Sequence, residues 1–102
     1  MINNLKEIIS HSMAFIEDDF TELWVVVNKI YEENPELSFS ELIEATKIVL
    51  KELIEGYNVK LLDEETQQPT DFDSSVIINI VEKRLKELNQ LPTIGDGIWF
   101  TM

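Results

Sequence analysis

Apolar residues recur at three- and four-residue steps through most of the chain and at two-residue steps in only two short places, so helices dominate the expected fold. The clearest helix lies in "PELSFSELIEATKIVLKELIEGYN". Ser38 followed by Glu41 is a capping box, and Leu37 and Leu42 occupy the flanking staple positions. Phe39, Leu42, Ile43, Thr46, Val49, Leu50, Leu53 and Ile54 then form one stripe, and Gly56 stands where a left-handed cap residue belongs. The pattern predicts a helix from Phe39 to Glu55. Asn34-Pro35 closes whatever precedes it, because a residue before proline is pushed out of the helical region.

In the N-terminal third, Ile2, Ile9, Met13, Ile16, Phe20, Leu23, Val27 and Ile30 keep a spacing near 3.5, interrupted by Lys6. A single helix carrying them all would reach roughly 45 Å at about 1.5 Å per residue. A domain of this size has a radius of gyration of only about 13 Å. Two helices are therefore expected, broken at Glu17-Asp18-Asp19, with Asp18 or Asp19 capping a second helix from Phe20 to Glu33. The competing explanation is a long helix in a dimeric coiled coil.

After Gly56 the period changes: Tyr57, Val59 and Leu61 alternate with Asn58, Lys60 and Leu62, as in a short strand. "DEETQQPTDFDSS" reads as an exposed loop. A fourth helix starts near Ser74 under an Asp73 cap, with Val76, Ile77, Ile80, Val81, Leu85 and Leu88 as its buried face. Pro92 and the Gly95-Asp96-Gly97 turn lead into a last strand, Ile98 to Thr101. The expected fold class is mainly α (α+β): three to four helices in one domain over residues 1–102, with a small two-stranded antiparallel sheet. If Ile98 and Phe100 join Val59 and Leu61 against the helices, alternation puts Trp99 on the outer face near Lys60 or Leu62. An outward Trp on a small sheet would be a candidate binding anchor; the alternative is a Trp99 packed into the core.

Charge sharpens this picture. The chain has 20 acidic and 8 basic residues among 102, a net of −12. The imbalance sits in residues 1–72, with 16 acids and 5 bases, while residues 73–102 are nearly neutral. Nucleic acid and anionic membranes would be repelled, since their binders neutralise phosphates with Lys and Arg. A basic protein would be attracted and steered. There is no cysteine, which excludes disulfides and thiolate metal sites. The N-terminus lacks signal-peptide organisation, and no apolar run is long enough to span a bilayer. A cytoplasmic location is expected.

Catalytic and metal constellations find little support. With so many carboxylates, pairs such as Glu17 with Asp18 or Glu64 with Glu65 are unavoidable and read as solvated faces. His11 is the only histidine, so neither a two-histidine metal site nor a Ser-His-Asp arrangement can be argued. Asp71, Asp73, Ser75 and Glu82 fall at calcium-loop spacing, but the position that needs Gly is Val76. No enzyme activity, cofactor or metal is expected.

The order helix, helix, strand, helix, strand resembles a modified winged helix with an insertion between the two strands of the wing. More specifically, "IYEENPELSFSELIEATKIVLKELIEGYNVKLLDEET" together with "LPTIGDGIWFTM" is similar to small acidic bacterial immunity proteins of the contact-dependent growth inhibition type. The resemblance implies an inhibitor that binds and neutralises a basic toxin domain, for instance a nuclease. It carries no residue-level motif. The contact residues expected on physical grounds are Asp63, Glu64, Glu65 and Asp71 of the acidic loop, with Trp99 beside them. A monomer is favoured over a dimer. The alternative function is a winged-helix-like transcriptional regulator, for which Lys83, Arg84 and Lys86 would be a small basic spot unless they form a salt-bridged helix face.

Overall fold

The computed structural model describes residues 2–102 and contains four helices and a small antiparallel sheet. In chain order these are α1 (Leu5–Asp18), β1 (Thr21–Glu22), α2 (Leu23–Glu33), α3 (Phe39–Tyr57), β2 (Lys60–Leu61), α4 (Ser74–Leu88) and β3 (Trp99–Thr101). The N-terminal third is thus two helices, broken at the acidic run. Asp19 turns extended and ends α1, its backbone N–H donating to the Phe15 carbonyl.

The sheet has three strands rather than the expected two, in the order β1-β3-β2. The additional strand, β1, occupies part of the segment expected as the start of α2. Thr21 pairs with Phe100 and Glu22 with Trp99 on one side of β3; Lys60 pairs with Thr101 and Leu61 with Phe100 on the other. The C-terminal strand is therefore the central one. Its hydrogen bonds on both flanks are what order a segment that is usually frayed.

The cap of α2 is not Asp18 or Asp19. Glu22 stands at the N-cap position and makes no side-chain cap bond there. The first two free N–H groups of the helix are taken by the chain's other end instead: Leu23 N–H donates to the Ile98 carbonyl (3.0 Å) and Trp24 N–H to Asp96 Oδ2 (2.9 Å). A carboxylate at this position also favours the helix dipole. Asp96 thus does for α2 what a local Ser or Asp does elsewhere, from 72 residues away.

The other helix ends follow local rules. Ser38 Oγ accepts from Glu41 N–H (3.2 Å), and Glu41 Oε1 accepts from Ser38 N–H (2.9 Å). That return bond holds the Glu41 carboxyl below its ordinary pKa. α3 runs past Gly56 to Tyr57, and the left-handed cap residue is Asn58 at φ 63°. Asn tolerates this region better than most residues, so Gly56 stays helical and Tyr57 does not join the strand. Asp73 caps α4 as expected, accepting from Val76 N–H at 3.1 Å.

The core lies where α1, α2, α3 and α4 meet the inner face of the sheet, with Phe100, Leu23, Ile30, Leu50, Leu53 and Ile77 among its largest buried members. Ile98, Phe100, Val59 and Leu61 all point inward. On α4 the buried row is Ile77, Val81 and Leu85; Ile80 and Leu88 are half-buried, and Val76, in the first turn, stays exposed. Phe20 also departs from the expected stripe. It precedes β1 and is 49% exposed, because α2 begins three residues later.

Candidate functional site on the outer face of the sheet

Alternation along β3 fixes two faces. Phe100 is fully buried on the inner face, while Trp99, its neighbour, is 41% exposed on the outer one. Register then places Glu22 directly opposite Trp99, and Leu62, one residue past β2, donates its N–H to the Trp99 carbonyl at 2.9 Å. A depression of about 540 Å³ opens beside the indole, lined by Phe20, Leu62, Asp63, Glu64, Gln67, Arg84, the Gly95-Asp96-Gly97 turn and Trp99.

Of the expected contact residues, Asp63, Glu64 and Trp99 come together here. Glu65 and Asp71 are exposed but lie outside the lining. Asp63 has a structural task as well: its Oδ1 accepts from Glu65 N–H (2.8 Å) and Thr66 N–H (3.2 Å), closing a turn that brings Leu62 back beside Pro69. The first half of the loop is therefore ordered by its own hydrogen bonds, and the carboxylates are presented from a defined turn.

Two buried acids lie next to Trp99: Glu22, its partner across the sheet, and Asp96, which shares the lining of the depression. Glu22 accepts from the Trp24 indole N–H with Oε1 (3.2 Å) and from Gly95 N–H with Oε2 (2.9 Å). Asp96 accepts from Trp24 N–H and, through Oδ1, from Ile98 N–H at 2.9 Å. Burial pushes the Asp96 carboxyl above the ordinary carboxylate range and the nearby Glu22 adds to this, against the pull of its two N–H donors and Arg84. The carboxylates thus order the turn, the helix start and the sheet around the site.

Beyond Asp63, Glu64 and Trp99, the lining includes residues not expected as contacts, Phe20 and Arg84 foremost, with Leu62, Gln67 and the Gly95-Asp96-Gly97 turn. Phe20 looked like a member of a core stripe. Arg84, one of the three expected basic residues on α4, reaches across to the loop: Nη1 donates to the Asp96 carbonyl and Nη2 lies 3.2 Å from Glu64 Oε1. Gly97, at φ +86°, leaves room for it, since an added Cβ would sit 2.6 Å from Arg84 Nη1. Lys86 pairs with Glu82 (3.1 Å), which also meets Lys47 (3.4 Å). α4 therefore carries a salt-bridged face more than a basic spot.

The calcium-like spacing does not converge, because Asp73 caps α4 and Glu82 pairs with Lys47 and Lys86. Among the described residues no group of three or more His, Cys, Asp or Glu is placed to hold a metal ion. Nor is any helix among them long and apolar enough to cross a membrane. His11 is half-buried on α1, its ring 5.0 Å from that of Phe15. In comparisons with known proteins, the chain matches no family model, no curated protein and no solved structure.

Proposed function

We propose that this chain binds a basic protein through the outer face of its sheet, and that it acts as an immunity protein neutralising a toxin domain, for instance a nuclease. The observation that carries the reading is the half-exposed Trp99 on the central strand, sharing one depression with the half-exposed Phe20 and with the carboxylates of Asp63 and Glu64. Large aromatics left partly in water and rimmed by charge are the composition of an interface centre with its polar surround. A net charge of −12 supplies long-range attraction for a basic partner.

The transcription-factor alternative draws less support. The solvent-facing side of α3 carries Glu41, Glu44, Glu52 and Glu55 against Lys47 and Lys51, and Lys47 is already paired with Glu44 and Glu82. Such a face opposes phosphate.

The test is a calorimetric titration against a basic toxin domain encoded beside this chain's gene, with co-expression to ask whether the chain relieves the domain's toxicity. A stoichiometric complex with relief of toxicity is expected. Absence of a complex at micromolar concentrations would overturn the proposal.

A further inference from the structure

The shape and chemistry of the depression beside Trp99 indicate what it recognises. At about 540 Å³ it has room for a long side chain of a partner. Two aromatic rings, Phe20 and Trp99, offer apolar faces to an aliphatic stem and an electron-rich surface to a cation. Asp63, Glu64 and Asp96 belong to its lining, three carboxylates against the single cation Arg84, so the local charge favours a cationic group. The one cation in the lining, Arg84, is already held by the Asp96 carbonyl, by Glu64 at 3.2 Å and by Glu87 at 4.0 Å.

We propose that this depression seats a single arginine side chain of the basic partner, its guanidinium against the Trp99 indole and its N–H groups on the Asp63 and Glu64 carboxylates. The inference rests on the reading of the outer sheet face as the partner surface, and adds the group that is recognised. Arginine is favoured over lysine because a planar, weakly hydrated guanidinium can stack and donate in a fork at once, whereas an ammonium is a strongly hydrated point charge. Glu64 takes part through its second oxygen: Oε1 meets Arg84 Nη2 at 3.2 Å, and an ionised carboxylate on a side chain that is 67% exposed has further acceptor sites for a second guanidinium.

The experiment uses the isotopically labelled protein and four capped tetrapeptides that differ in one residue: arginine, lysine, citrulline or norleucine. Amide and indole N–H shifts are followed by NMR. The arginine peptide is expected to give saturable shifts confined to the Trp99 indole, residues 62–64 and 95–97, with the lysine peptide weaker by about fivefold or more and the neutral peptides showing no saturation. Asp63→Asn with Glu64→Gln should weaken the arginine peptide by about tenfold or more; the amide oxygen introduced at position 63 can still accept from Glu65 and Thr66, so the turn is kept. Equal binding of the norleucine peptide, or shifts scattered over the acidic surface, would overturn the proposal. If Trp99→Ala abolishes the partner complex while the arginine peptide gives no localised shifts, the arginine seat is discarded and the partner surface stands. If Trp99→Ala leaves the complex intact, the partner-surface reading itself fails.

Discussion

Replacing Asp96 by Ala tests whether the C-terminal turn holds the fold together. The carboxylate accepts from Trp24 N–H in the first turn of α2 and from Ile98 N–H just before β3, and the residue is only 7% exposed. Losing a helix cap costs about 1 kcal/mol, and leaving a buried N–H such as that of Ile98 unpartnered costs about 1–3 kcal/mol. Relief of a buried charge offsets part of this, so a net loss of about 2–3 kcal/mol is expected. For a chain of this length that lowers Tm by about 10–20 °C. Urea denaturation followed by circular dichroism gives the total, and hydrogen exchange should show the loss concentrated at the start of α2. A loss below about 0.5 kcal/mol would refute the tertiary cap.

Asp96→Asn adds a pH arm. Because burial raises the folded-state pKa of Asp96, the folded chain binds more protons than the unfolded one, and the stability linked to this group is full below the ordinary carboxylate pKa and lost as pH rises through the folded value. The stability advantage of the native protein over Asp96→Asn should therefore shrink from about pH 3.5 upward. An advantage that grows with pH would mean that the hydrogen bonds and Arg84 outweigh burial.

Further outcomes follow from the same geometry. Gly97→Ala should cost about 1–3 kcal/mol and detach Arg84 from Glu64, because the new Cβ meets Nη1 at 2.6 Å; Gly95→Ala, at φ +89° with open space around it, should cost about 1 kcal/mol, both read by thermal denaturation. The association rate with a basic partner should fall steeply with ionic strength while dissociation changes much less; a flat rate in a stopped-flow salt series would remove electrostatic steering. No affinity for random duplex DNA is expected by fluorescence anisotropy at physiological salt, and salt-sensitive micromolar binding would put the transcription regulator first.

What the sequence made legible was local. The capping box at Ser38 and Glu41, the Asp73 cap and the split of the N-terminal helices all follow from spacing, short-range hydrogen bonding or chain length. The inward set of Ile98, Phe100, Val59 and Leu61 follows from strand alternation. What stayed hidden depends on partners far along the chain. β1 is two residues long, too short to show a period, and exists because Thr21 and Glu22 meet Phe100 and Trp99. The Asp96 cap is equally non-local, and no residue near α2 announces it.

That Asp63, Glu64 and Trp99 line one depression, without Glu65 and Asp71, was half legible, because Asp63 ends a strand expected to lie beside the last one. Phe20 was misread, since its position fits a helical stripe that does not extend that far. Asn58 displaced Gly56 as the cap of α3 for a simpler reason: two residues close together both tolerate the left-handed region, and spacing alone does not choose between them.

The central claim is that Trp99 faces outward to bind, while its neighbour Phe100 faces inward to fold. The most direct measurement compares Trp99→Ala and Phe100→Ala for folding stability and for affinity toward the basic partner. Phe100→Ala should lose about 3–5 kcal/mol of stability. Trp99→Ala should remain folded with a loss below about 2 kcal/mol, yet bind the partner more weakly by about 2 kcal/mol or more. A Trp99→Ala variant that loses about 3–5 kcal/mol of stability, or one that binds as tightly as the native chain, would contradict the account.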